Sequence, residues 1–189
     1  VPGRAGMTSV AMAPAHRQVV VMGVSGCGKT TLGEALAQAW GCDFIEGDRY
    51  HSPENVARMA AGIALTDELR RDWLLTLADL LGQAHAQQRS LVLSCSALKR
   101  SYRALLSSHT PGLQFVHLHG AVSSLEQRMR ERKGHYMPAS LLQSQLDTLE
   151  VPAADEPVVP MDIDQPVTDM VQRLLSQWGQ PAGLASTLP

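Results

Sequence analysis

The stretch GVSGCGKTT, Gly23 to Thr31, follows the apolar run Val19-Val20-Val21-Met22 and opens a segment of helical periodicity. Gly23, Gly28, Lys29 and Thr30 fit the spacing GxxxxGK[ST]. Small residues between them allow a loop to wrap its backbone N–H groups around a phosphate, and the helix that follows points its positive dipole end at the same place. In that arrangement Lys29 bridges the β- and γ-phosphates of a nucleotide and the Thr30 hydroxyl sits on Mg²⁺. Strand before and helix after are the context the motif requires.

Composition limits what can be attached to such a loop. With 189 residues, 44% of them hydrophobic, the chain supports one domain with a real core. A net charge of −2 and 4% aromatic residues leave no basic stripe or stacking surface, which points away from nucleic acid and towards small-molecule partners. Cys27, Cys42 and Cys95 are too few and too scattered for a disulfide framework or a zinc site, and suit a reducing cytoplasm. No apolar stretch approaches the roughly 20 residues that span a membrane.

Residues 1–17 are rich in Gly, Pro and Ala without periodicity and read as a loose arm; 18–178 read as a single domain, and 179–189 as a tail that frays. Within the domain, Leu32, Ala35, Leu36, Ala39 and Trp40 recur at helical spacing up to Gly41. Cys42 to Ile45 reads as a second strand, ending in Glu46-Gly47-Asp48, two carboxylates at the sheet edge where α/β proteins bind ligands. Pro53 starts a helix carrying Arg58, and Thr66-Asp67-Glu68 caps a longer one whose Leu69, Trp73, Leu77 and Leu81 face the core. Ser90 to Cys95 reads as a third strand, apolar throughout as in a sheet covered on both faces.

Beyond that strand, Lys99 and Arg103 stand four apart, which predicts one helix face close to Asp48. Gln114 to His119 reads as a fourth strand and Val122 to Arg132 as the helix after it, ending in Arg128, Arg130, Arg132 and Lys133 before Gly134 and His135. Such cations either complement a helix C-terminus or arm a lid that closes on a triphosphate. A helix over Ala139 to Leu149 and a last strand over Val158 to Ile163 follow; Pro160 removes a ladder donor and places that strand at a sheet edge. Strands alternating with helices give a parallel α/β sheet with the phosphate loop at its first crossover.

These residues resemble the gluconate kinases, close relatives of shikimate and adenylate kinases. The resemblance spans about Val19 to Val167 and rests on GVSGCGKTT at 23–31, EGDRYHSPEN at 46–55, RMAAGIALTDELRRDWL at 58–74, CSALKRSYR at 95–103, RMRERKGHYMP at 128–138, LLQSQLDTLEVP at 141–152 and DIDQP at 162–166. It implies a P-loop NTPase fold with strand order 2-3-1-4-5, flanking helices and a mobile lid. The implied activity is ATP-dependent phosphorylation of D-gluconate to 6-phospho-D-gluconate, feeding the pentose phosphate or Entner-Doudoroff pathway, in a homodimer. Glu46 departs from the Asp usual in the family, and Ser52-Pro53, Leu69 and Asp72 depart from its His-Pro, Asp and Pro.

Carried onto this chain, the resemblance places ATP on Gly23, Val24, Ser25, Gly26, Cys27, Gly28, Lys29, Thr30 and Thr31, with Arg128 and Gln165 beside the nucleotide and Mg²⁺ on Thr30. Phosphoryl transfer asks for positioning and for cations on the equatorial oxygens, the work expected of Lys29, Arg128 and Arg132. Asp48 is expected to orient and deprotonate the attacking hydroxyl. Arg58, Arg70, Lys99 and Arg103 are the candidates to grip a substrate carboxylate, with His51 and His135 as further polar contacts. The other readings are a kinase of another small acid such as shikimate or of a nucleoside monophosphate, and a nucleotide-binding switch without a second substrate.

Overall fold

The computed structural model describes residues 16–132 and 139–179. Five strands form one sheet: β1 (Gln18–Met22), β2 (Asp43–Glu46), β3 (Leu91–Ser94), β4 (Gln114–His119) and β5 (Val158–Asp162). Every pairing is parallel and the order is β2-β3-β1-β4-β5, as the resemblance implied. The P-loop strand β1 is therefore central, paired with Leu91–Ser94 on one side and Gln114–His117 on the other. Pro160 lies on the edge strand β5 opposite His117.

Seven helices flank the sheet among the described residues: α1 (Lys29–Trp40), α2 (Pro53–Ala60), α3 (Asp67–Ala86), α4 (Arg100–Leu106), α5 (Val122–Glu131), α6 (Ala139–Thr148) and α7 (Val167–Trp178). Alternate strand residues feed two cores. Val19, Val21, Val92, Val116 and Leu118 pack under α1 and α7 with Leu32, Leu36, Trp40, Met170 and Leu174. Val20, Met22, Leu91, Leu93 and Phe115 pack on the other face with Trp73, Leu77, Leu81, Tyr102 and Leu106 of α3 and α4. Burial on both faces is why β1 and β3 read as unbroken apolar runs.

Local chemistry sets the helix ends. The Ser52 hydroxyl accepts the Asn55 N–H at 3.2 Å with Pro53 at the first helical position, and the Thr66 hydroxyl accepts the Leu69 N–H at 3.3 Å. Gly41 ends α1 in the left-handed conformation. His16 and Arg17, expected in the loose arm, are tied to the domain. The Arg17 N–H donates to Ser90 Oγ at 3.1 Å and its guanidinium to the Trp178 carbonyl at 3.2 Å, joining β1 to the end of α7. Residues 1–15 and 180–189, the rest of the expected arm and tail, and residues 133–138, within the lid that the resemblance implies, lie outside the described residues. Among the described residues no helix is long and apolar enough to cross a membrane.

Candidate active site

The P-loop runs from the carboxyl end of β1 into α1. Gly28 precedes the helix at φ 90°, a conformation that side-chain-bearing residues rarely adopt. Lys29 folds back along the loop, its Nζ donating to the carbonyls of Gly23 at 3.0 Å and Val24 at 3.1 Å. The Ser25 N–H donates to Gln145 Oε1 of α6 at 2.7 Å, so α6 is fastened to the loop.

The neighbouring strand ends supply carboxylates. β2 ends one residue later than expected, with Glu46 as its last member. Each of its oxygens is bonded: Thr30 Oγ1 donates to Oε2, and Ser94 Oγ of β3 donates to Oε1 at 2.5 Å. Gly47 then lets β2 close on β3, because a Cβ there would lie 2.1 Å from the Ser94 carbonyl oxygen. Asp48 follows in a 3-10 turn over Gly47–Tyr50; it is exposed, and its carboxylate makes no hydrogen bond among the described residues. Two acidic residues of similar chemistry thus hold different posts, one spent on Thr30 and the other available to a ligand.

A cleft of about 400 Å³ brings Ser25, Gly26, Gly28, Lys29, Thr30, Glu46, Asp48, Arg49, Met129 and Arg132 together. Arg128 reaches over the same loop: a Cβ added to Gly28 would lie 3.6 Å from Arg128 Nη1, while Nη2 donates to the Ile163 carbonyl at 2.5 Å. That contact anchors Arg128 to the turn carrying Gln165, whose own N–H donates to the Asp162 carbonyl at 3.3 Å. Lys29, Thr30, Asp48, Arg128 and Arg132 therefore converge from three separate segments. His135 lies outside the described residues.

A second cluster lies along α3. Trp73 Nε1 donates to the Gly47 carbonyl at 2.9 Å, and the His51 ring stacks on the Trp73 indole with centroids 3.9 Å apart. Burial holds the His51 imidazole below its ordinary pKa, and the nearby Arg70 lowers it further against the opposing pull of Asp48. His51 is thus not a further cation, and its buried Nδ1 has no hydrogen-bond partner among the described residues. One turn back on α3, Arg70 lies with its Cζ 5.5 Å from the Tyr102 ring centroid, and Lys99 Nζ lies 5.6 Å from the same centroid. Arg58, on α2, is bound to Asn55 Oδ1 at 2.9 Å, and Asn55 Nδ2 in turn donates to the Leu69 carbonyl at 2.9 Å. Buried Cys95, at the end of β3, has its thiol pushed up to about 12 by desolvation and serves as packing.

Arg103 is the correction. The expected common face with Lys99 does not form, because α4 begins at Arg100 and Lys99 precedes it with extended backbone. Arg103 is buried and its donors are taken: Nε meets Glu156 Oε1 at 2.7 Å, Nη1 meets the carbonyls of Ala97 at 2.9 Å and Leu98 at 3.2 Å, and Nη2 meets the Glu150 carbonyl at 3.0 Å. The side chains of the pair are only 3% and 8% exposed. Arg103 fastens the turn that presents Lys99, including Ala97 at φ 47°, and does not reach the ligand cleft. Arg103→Ala should therefore cost about 3 kcal/mol or more of stability, since it strands a buried carboxylate. Urea unfolding measures this. Unchanged stability combined with a tenfold higher KM for the acceptor would return Arg103 to the pocket.

Sequence reasoning gave no role to Ser94 and Gln145, read Asp67 only as part of the start of α3, and noted Glu46 without giving it a role. The polar Ser94 inside an apolar strand and the paired carboxylates after β2 were the available signals; nothing in sequence spacing pointed from Gln145 to Ser25, 120 positions away.

Residues 25–154 match the family model of shikimate kinase. The gluconokinase of Gluconobacter oxydans (strain 621H) is 50% identical over 143 residues, covering 76% of this chain and 80% of that protein. Among solved structures, a sugar kinase from Janibacter sp. HTCC2649 aligns with a TM-score of 0.84 at 46% identity, covering 92% of this chain and 99% of its own. A gluconokinase from Sinorhizobium meliloti 1021 aligns with a TM-score of 0.77 at 48% identity, covering 87% of this chain and 92% of its own. A phosphate loop flanked by carboxylates and arginines, on a sheet of order β2-β3-β1-β4-β5 and with relatives at this level of identity, places the chain in the gluconate kinase family of P-loop kinases.

Proposed function

We propose that the protein transfers the γ-phosphoryl group of ATP to D-gluconate, forming 6-phospho-D-gluconate and ADP. The observation that carries this reading is one face of α3. Asp67, Arg70 and Trp73 recur every three residues, and Trp73 ends against His51 and Gly47 beside Asp48. Six residues of helix advance about 9 Å, a length suited to an extended six-carbon acid. Its primary hydroxyl would meet Asp48, and its carboxylate would meet Arg70 and Lys99 at the other end.

Each residue then has a physical task. Lys29 leaves its two loop carbonyls for the phosphates and neutralises charge on the donor. Arg128 and Arg132 approach from α5 and add positive charge where the transferring group gains negative character. Asp48 accepts a hydrogen bond from the attacking hydroxyl and takes its proton as the new P–O bond forms. Arg70 gives a planar fork to the acceptor carboxylate, and Lys99 a point charge.

The residues also fit Mg²⁺. The Thr30 hydroxyl bonded to the Glu46 carboxylate is a hard oxygen pair at the mouth of the phosphate loop. Among the described residues no group of three or more His, Cys, Asp or Glu forms a dedicated cage, which suits an ion that keeps waters and phosphate oxygens as ligands. When bound, Mg²⁺ supplies charge neutralisation across the β- and γ-phosphates. The longer Glu46, in place of the family's usual Asp, spans both Thr30 and Ser94 and holds their hydroxyls in place.

The same proposal carries the homodimer and the cytoplasmic location that the resemblance implies. Three free cysteines are in keeping with a reducing compartment. The test is turnover with Mg²⁺ and ATP on D-gluconate, shikimate and AMP. D-Gluconate should exceed the other two by about 100-fold or more in kcat/KM, the margin a pocket built on paired polar groups gives. Faster turnover of shikimate or AMP would overturn the acceptor assignment and leave the kinase chemistry standing.

A further inference from the structure

We propose that Asp67 and Tyr102 read the hydroxyl groups of the acceptor, so that the pocket selects a polyhydroxy acid over a carboxylate that lacks them. This inference rests on the acceptor site assigned above and extends it to two residues with no role so far. Asp67 opens α3, and its carboxylate accepts three contacts from two donors: the Tyr102 hydroxyl on Oδ1, and Lys99 Nζ at 2.9 Å from Oδ1 and 3.2 Å from Oδ2. Arg70 Nη1 completes the cluster at 3.4 Å from the Tyr102 oxygen. Two cations and one anion are thereby set around a single buried aromatic ring.

Helix capping and stability account for little of Asp67, which as an acid in the first turn of α3 gains only a modest attraction to the helix dipole. The N-terminus of α3 already has its cap in Thr66, whose hydroxyl accepts the Leu69 N–H. The Asp67 side chain is 64% exposed, and an ion pair so exposed adds little to folding. Its chemistry does match a ligand carrying both a carboxylate and hydroxyls. Arg70 and Lys99 answer the carboxylate, while an ionised Asp has about four lone-pair sites, so its outward face remains open to O–H donors. The Tyr102 hydroxyl, already donating to Asp67, takes only a long 3.4 Å contact from Arg70 Nη1, which an O–H of the acceptor on the same side can replace. An anion beside the cations also weakens the pull on any acid that brings no hydroxyl to satisfy it. Selection then comes as much from rejection as from attraction.

The experiment compares D-gluconate with 2-deoxy-D-gluconate, 3-deoxy-D-gluconate and 6-hydroxyhexanoate, which keeps both ends of the chain and none of the secondary hydroxyls. The intact enzyme should prefer D-gluconate by about 100-fold in kcat/KM over 6-hydroxyhexanoate and over at least one mono-deoxy acid. Asp67→Asn should lower kcat/KM for D-gluconate by roughly tenfold or more and leave that deoxy acid within about threefold, so the preference collapses while KM for ATP holds. Tyr102→Phe keeps the ring and should lower the same ratio in the same direction. Equal losses on both acids would reduce Asp67 to a strut for Lys99, and tighter D-gluconate binding in Asp67→Asn would make it a competing counter-ion; either result overturns the proposal. An intact enzyme that ignores D-gluconate altogether fails at the first step and overturns the acceptor assignment along with it.

Discussion

Lys29→Ala is expected to lower kcat by about three powers of ten or more, the scale on which cations act on a transferring phosphoryl group. Lys29 is half-buried, and its ammonium is held by the Gly23 and Val24 carbonyls, the position from which it can swing onto phosphates at the mouth of the same loop. The substitution removes that charge and three hydrogen bonds within the loop, the one to Cys27 Sγ being long and weak. The core contact it loses is that 3.9 Å approach of Nζ to Cys27 Sγ, and Lys29 itself belongs to neither apolar cluster. Circular dichroism and the unfolding midpoint should therefore stay close to those of the unmodified protein while a coupled ADP assay shows the loss. Turnover within tenfold of the original would mean that the loop does not bind phosphate through Lys29.

Asp48→Asn should lower kcat by roughly 100-fold or more, because it keeps the shape of the side chain and removes its ability to accept a proton. Asp48 lines the cleft with Lys29 and Thr30. Its carboxylate has no hydrogen bond to lose among the described residues, so stability should not move. Nucleotide affinity should also hold, since Glu46, and not Asp48, is bonded to Thr30. Isothermal titration with ADP and Mg²⁺ separates the two posts. A weakened nucleotide with unchanged kcat would move Asp48 to the metal side of the cleft and leave the reaction without its base.

What could be read along the chain was whatever is written locally. GVSGCGKTT carries its own geometry, because its glycines and its position between a strand and a helix lie within a few residues of one another. The central strands were legible for a related reason: a sheet covered on both faces demands apolar runs such as Val19–Met22 of β1 and Leu91–Leu93 of β3. The edge position of β5 was legible in Pro160, which cannot serve a strand flanked on both sides. The strand order itself came from family resemblance, since alternation of strands and helices says nothing about which strands lie side by side.

Only the tertiary structure sorted residues of like chemistry into different tasks. Glu46 and Asp48 are two carboxylates two positions apart, and it is the arrival of Thr30 from α1 and Ser94 from β3 that engages one and leaves the other open. Lys99 and Arg103 looked like one pair of pocket cations. A spacing of four marks a common face only inside a helix, and the helix starts between them. Lys99 then turns to Asp67, 32 positions away, and Arg103 to Glu156, 53 positions away. A charged side chain takes its function from the partner that neutralises it, and across such separations that partner is chosen by the fold.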